Sequence, residues 1–261
     1  MTKTLTLAGT EVARIGLGTN RLTDAPEHRA FIRDAVAAGV GHIDTAYLYT
    51  GGESEKTIGA ALAPFPQGTV VATKGGYGRG EGRPDILRGQ IEESLRRLQT
   101  ETIPLYYLHR VHPDTPLEES LAVIAEYRDA GRIGAVGISA VSIEQIERAR
   151  QVVPIAAVQN EYNLAERQYE DVVDHCEEQG IVFVPYYPVR ELDAPALAEI
   201  AERHRATRAQ IALAWLLHRS PAILPIPGTL SLEHLRENLA ALDIELDDAE
   251  FDALAKVGRA P

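Results

Sequence analysis

Cysteine is nearly absent from this chain. Cys176 stands alone among 261 residues, which excludes an intrachain disulfide and a cysteine-built zinc site. Positive charge is also short: 26 Lys and Arg face 38 Asp and Glu, for a formal net charge of -12. That balance opposes nucleic acid and anionic membranes as partners. Long apolar runs are missing. The longest, IALAWLL from Ile211, is far shorter than the roughly 20 residues a membrane-crossing helix needs. The opening MTKTLTLAGTEVARI has no apolar stretch of signal-peptide length, so a cytoplasmic protein is expected. No G-x-G-x-x-G follows the first strand pattern either, because Gly16-Leu17-Gly18-Thr19-Asn20-Arg21 lacks the third glycine. That weakens a doubly wound dinucleotide fold.

What is present is a regular alternation of short apolar runs and longer amphipathic segments. Strands are predicted at residues 15–19, 41–45, 69–73, 103–108, 133–139, 155–159, 181–185 and 222–226. Most are apolar on both faces, as strands covered by helices are. Thr115-Pro116-Leu117-Glu118 reads as a helix start: an N-cap threonine, a proline at the first position and a glutamate spaced for a capping box. The spacing recurs at Ser142 with Gln145 and Thr207 with Gln210, and with aspartate leading at Asp24 with Glu27 and Asp247 with Glu250. Eight strand–helix repeats predict an α/β fold, a closed (β/α)8 TIM barrel, as one domain over residues 1–261. The segment LTLAGTEVARIGL reads as an N-terminal hairpin with Gly9 in its turn, placed to plug the barrel bottom. Residues 195–205 and 247–257 are two extra helices.

Four side chains fall at predicted strand ends: Asp44 and Tyr49 in HIDTAYLY, Lys74 in VVATKGG and His109 in LYYLHR. In a barrel such ends converge on one mouth. Together these residues suit the movement of one proton to or from a carbonyl oxygen. A phenol titrates near 10, too high for easy exchange at neutrality, and a neighbouring Lys74 lowers that value. Asp44 holds Lys74 charged. A neutral His109 donates to the carbonyl oxygen. Each residue alone has a plainer reading: a helix cap, a core edge, a solvated cation. A Schiff-base role for Lys74 is also open, but leaves Asp44 and Tyr49 without a task.

On the substrate side, Tyr47, Leu48, Gly76, Tyr77, Arg110 and His112 are expected at the mouth. Arg110 suits a substrate carboxylate or phosphate, or else a rim acid such as Asp114. Residues 75–83 contain five glycines and read as a mobile flap, since no Lys-Ser/Thr follows to make a phosphate cradle. His109, His112 and Asp114 imitate metal spacing, but Pro113 interrupts them, and no metal is expected.

The runs GHIDTAYLYTGGESEKTIGAAL, VVATKGG, IPLYYLHRVHPDTPLEESL, AGRIGAVGIS, PIAAVQNEYN and IPIPGTLSLEHLRENLAAL resemble, in order, the motifs of the aldo-keto reductases. The resemblance spans nearly the whole chain. It implies an NADPH-dependent reductase of aldehydes or ketones, with NADH a weaker alternative. It implies that Asp44, Tyr49, Lys74 and His109 match the family tetrad, with Tyr49 as general acid. Cofactor contacts are implied at Gly18, Thr19, Asn20, Asp44, Ser139 and Gln159. They continue at Tyr186, Tyr187, Pro188, Val189 and Arg190, then Ile226, Pro227, Gly228 and Thr229, and last His234, Glu237 and Asn238. Substrate contacts are implied at Tyr47, Leu48, Tyr77 and Arg110. Arg190 stands where the family usually has glycines, and suits a pyrophosphate. Ala140 stands where Asn is common after the strand-five Ser. The family default is a monomer acting on a small carbonyl compound. A cofactor-binding sensor with little turnover is the competing function.

Overall fold

The computed structural model describes residues 2–190, 192 and 194–257. The expected domain span of 1–261 therefore includes seven residues outside that set: Met1, Glu191, Asp193 and 258–261.

The chain opens with an antiparallel hairpin, β1 (Thr4–Leu7) and β2 (Thr10–Ala13). Ala8 and Gly9 both have positive φ, 49° and 78°, which is the conformation a two-residue hairpin turn requires. Leu7 and Val12 pack against the barrel interior with Val70, Leu105, Tyr107 and Leu224, so the hairpin does close the lower end. Gly41 makes room for this, since a Cβ there would lie 2.9 Å from that of Val12.

Seven parallel strands follow in sequential order: β3 (Leu17–Gly18), β4 (His42–Asp44), β5 (Val70–Gly75), β6 (Ile103–Leu108), β7 (Ile133–Ser139), β8 (Ile155–Gln159) and β9 (Val182–Phe183). The eighth stave, residues 222–228, closes the ring by single bridges and not as a regular strand. On one side Leu224 N–H donates to Phe183 at 2.9 Å. On the other, Pro225 and Pro227 accept from the amides of Gly16 and Gly18 at 2.9 and 3.2 Å. Proline has no N–H to return, so the ladder toward β3 runs one way. This is why the expected strand at 222–226 is reduced to bridges, and why β3 keeps two residues where five were expected.

The helices are α1 (Pro26–Ala37), α2 (Glu53–Leu62), α3 (Pro84–Leu98), α4 (Leu117–Asp129), α5 (Ile143–Arg150), α6 (Glu170–Gln179), α7 (Pro195–His204), α8 (Arg208–Arg219), α9 (Leu232–Ala240) and α10 (Asp248–Ala255). The two extra helices are α7 and α10. Capping boxes form at Ser142, Thr207 and Asp247 as their spacing predicts. Two others do not form. Asp24 turns to the guanidinium of Arg29, and Ala25 precedes the helix. Pro116, not Thr115, occupies the N-cap of α4, and the Thr115 hydroxyl is buried without a partner. Two cores result. A small one fills the barrel, and a larger one lies between sheet and helices.

Candidate active site

Strand alternation builds the site. Neighbouring residues on β5 point to opposite faces. Thr73 points outward and donates to Glu55 Oε1 at 2.6 Å. Lys74 points inward, fully buried. Its Nζ donates to Asp44 Oδ2 at 2.6 Å, to the Thr45 carbonyl at 2.8 Å and to the Tyr49 hydroxyl at 3.5 Å. Asp44 closes β4 and also accepts from Gln159 Nε2 at 2.8 Å. Lys74 thus lies within its strand, not past it, while His109 directly follows β6 as expected.

Tyr49 begins a 3-10 turn, Tyr49–Gly52. Thr50, Gly51 and Gly52 behind it all have positive φ, at 48°, 66° and 92°. Only glycine adopts this region freely, so the turn needs external support. Thr50 Oγ1 donates to the Leu22 carbonyl at 2.6 Å. Arg97 donates to the Tyr47 carbonyl at 2.9 Å and to Glu55 Oε2 at 3.1 Å, with its guanidinium 4.4 Å from the Tyr47 ring centroid. It lies so close to Gly52 that a Cβ there would be 2.4 Å from Cζ.

Burial opposes the charge on Lys74. Asp44 and Tyr49 outweigh it, so its pKa stands above the ordinary lysine value. For Tyr49 the outcome differs from the expected acidification. Burial raises its pKa more than Lys74 lowers it, so the net shift is upward. His109 is pushed down to about 2, by burial first and then by Lys74 and Arg110, so it is neutral near pH 7. Its Nδ1 is buried with no partner, leaving Nε2 as the nitrogen that can meet a ligand. Its ring stands edge-on to Tyr49 at 6.1 Å and tilted against Tyr77 at 4.8 Å.

Above these residues opens a cleft of about 820 Å3. Asp44, Tyr49 and His109 line it. So do Gly18, Thr19, Asn20, Ser139, Gln159, Tyr186, Tyr187, Pro188, Val189, Ile226, Pro227, Gly228, Thr229, His234, Glu237 and Asn238, with Leu48, Tyr77 and Arg110 near the mouth. Four residues expected at the cofactor or the mouth, Tyr47, Gly76, His112 and Arg190, do not line it. Tyr47 lies under Arg97, and Arg190 pairs with Glu161 at 3.5 Å. Arg21, Thr207 and Ala209 line the cleft and are not among the expected contacts. Arg21 directly follows the Gly18-Thr19-Asn20 loop and donates to the Gly228 carbonyl at 3.3 Å, so its position beside that loop was the available signal. Ala140 has φ 55°, a conformation that Asn tolerates better than Ala.

The glycine-rich segment is tied, not loose. Glu81 accepts from the amides of Tyr77 and Gly78, Gln90 from that of Gly76, and Ser120 donates to the Gly82 carbonyl. Asp114 pairs with Arg79 at 3.4 Å, and His112 Nε2 meets the Tyr77 carbonyl at 2.7 Å. No helix among the described residues is long and apolar enough to cross a membrane.

Residues 14–191 and 187–259 match the Aldo/keto reductase family. The chain belongs to that family. The aldo-keto reductase relatives include pyridoxine 4-dehydrogenase of Escherichia coli, 34% identical, with 98% of each chain covered. The thermostable aldo-keto reductase Tm1743, solved with the inhibitor epalrestat, superposes with a TM-score of 0.89 at 34% identity, covering 97% of this chain and 99% of that one. An aldo-keto reductase from Klebsiella pneumoniae, solved with NADPH, superposes with a TM-score of 0.87 at 29% identity, covering 97% and 94%. This aldo-keto reductase is accordingly an oxidoreductase on a (β/α)8 barrel.

Proposed function

We propose that the protein reduces an aldehyde or ketone to an alcohol with NADPH, using Tyr49 as general acid. One observation carries this reading: a buried ammonium, bonded to Asp44, stands 3.5 Å from a phenol at the floor of a cleft. Bound NADPH supplies the hydride. The protein's part is the proton. Tyr49, with its pKa held above the phenol value, stays protonated at neutrality and can donate to the carbonyl oxygen. As it donates, phenolate charge develops 3.5 Å from Lys74, which stabilises it. Asp44 keeps that ammonium charged and aimed. His109, neutral and with Nε2 free, donates to the same oxygen and fixes its direction.

The cleft suits the cofactor. The Ser139 hydroxyl and the Gln159 amide match a carboxamide in hydrogen-bonding chemistry. Tyr186 lines the same cleft, and an aromatic ring there suits the nicotinamide. Gly18 brings backbone close to the eighth stave, where a Cβ would lie 2.8 Å from the Ile226 carbonyl. Gly228 and Thr229 lead toward the amino end of α9, capped by Ser231, which favours a phosphate. Arg21 adds positive charge there. The Klebsiella relative was solved with NADPH, which supports NADPH as a cofactor that this cleft takes.

Tyr49→Phe tests the role of Tyr49. Its NADPH affinity should stay within about 3-fold of the parent while turnover falls by at least about 1,000-fold. Retained turnover overturns the assignment. Equal, negligible turnover in both forms favours the sensor reading.

A further inference from the structure

Arg110 is a cation without an acid. It lines the cleft, next in sequence to His109. No carboxylate among the described residues forms an ion pair with it, although the chain carries 38 Asp and Glu. The neighbouring acids are committed elsewhere: Asp114 to Arg79 at 3.4 Å, Glu161 to Arg190 at 3.5 Å, and Glu81 to loop amides at 3.1 and 3.2 Å. What holds Arg110 is aromatic. Its guanidinium carbon lies 5.8 Å from the Tyr77 ring centroid, and its charge acts on the phenol of Tyr186, which lines the same cleft. The Tyr77 ring in turn contacts His109, 4.8 Å away. The cation therefore stands one side chain away from where a carbonyl oxygen would bind, with its charge unspent.

Arginine's planar fork matches carboxylate and phosphate oxygens, and aromatic walls orient it without cancelling its charge. We propose that the natural substrate is a short aldehyde or ketone with an anionic group remote from the carbonyl, and that Arg110 binds that group. The proposal rests on the carbonyl-reductase reading and names its substrate class. Apolar surface fits the middle of such a molecule, since Leu48 and Tyr77 line the mouth and are among the few exposed large hydrophobic residues.

The test compares matched pairs: succinic semialdehyde against butanal, and glyceraldehyde 3-phosphate against glyceraldehyde. The parent enzyme should favour at least one charged member by about 10-fold or more in kcat/KM, the scale of a charge-assisted hydrogen bond. Arg110→Gln should collapse that preference, chiefly through KM, and Arg110→Lys should restore part of it. Which pair responds separates carboxylate from phosphate. No preference for either charged member, or a parallel loss on charged and neutral substrates, overturns the proposal. A calorimetric titration of the protein with succinate and with inorganic phosphate supplies a readout without turnover. Binding of either that weakens about 10-fold in Arg110→Gln supports the anion site even if the carbonyl-reductase reading fails. Binding indifferent to that change, or no binding of either, counts against it.

Discussion

Two buried ion pairs stand back to back across β5, and they are put together differently. Inside the barrel, Lys74 and Asp44 have side chains 0% and 3% exposed. Outside it, Arg97 and Glu55 are 11% and 0% exposed. The outer pair makes all its contacts within the fold: Arg97 to Glu55, Glu93 and the Tyr47 carbonyl, Glu55 also to Thr73. The inner pair keeps one contact longer than the rest, the 3.5 Å reach from Lys74 to Tyr49 at the cleft. A saturated pair fixes shape. A pair with one long bond can shorten it when charge develops on the partner. The outer network clamps the turn that presents Tyr49, and in the mechanism we propose the inner one acts on its proton.

Three experiments would break or sharpen that contrast, beginning with the largest effect. Lys74→Met should lower kcat by about 1,000-fold and destabilise the fold by about 3 kcal/mol, because Asp44 is left buried without its cation. Steady-state kinetics and denaturant unfolding measure the two losses, and a stable, active variant would dissolve the distinction. Arg97→Met should cost a similar amount of stability, about 3 kcal/mol, with a drop in kcat of only about 10-fold. If kcat fell as far as in the lysine variant, the outer pair would be more than a clamp.

The smallest effect concerns pH. His109 is held near a pKa of about 2 by burial, Lys74 and Arg110, whereas an unfolded histidine titrates near 6.5. Between these values the unfolded chain binds more protons, so the contribution to stability is complete above about 6.5 and is lost as pH falls. At pH 5.5 the loss should be about 1.4 kcal/mol. Thermal melts from pH 7.5 to 5 on the parent and on His109→Gln would measure it. Equal slopes would mean that the imidazole is not sealed as described.

The barrel was legible from repetition alone, because each apolar run and each capping box repeats a simple local rule. Ser142, Thr207 and Asp247 obey that rule, whereas Thr115 and Asp24 do not. At those two starts a proline lies within two residues: Pro26 is the first residue of α1, and Pro116 takes the N-cap of α4 in place of Thr115. The eighth stave was visible as an apolar run, but its ladder depends on which side each proline faces. The convergence of Asp44, Tyr49, Lys74 and His109 was legible from their places in the strand pattern. The direction of the Tyr49 shift was not, since it depends on how much solvent the folded cleft excludes. Arg97 was invisible for another reason: it lies about fifty residues from the Tyr47 carbonyl it holds, on the back of a helix, and nothing local marks it.

The alternation of Thr73 and Lys74 also bears on how the chain reaches its native state. A slip of β5 by one residue would exchange their faces. The ammonium would then stand on the outer face, where Thr73 now meets Glu55, and Asp44 would be left in the lumen without its cation. A misaligned strand would carry the penalty of that uncompensated carboxylate, so the pair proposed to act on Tyr49 also favours the native register of β5.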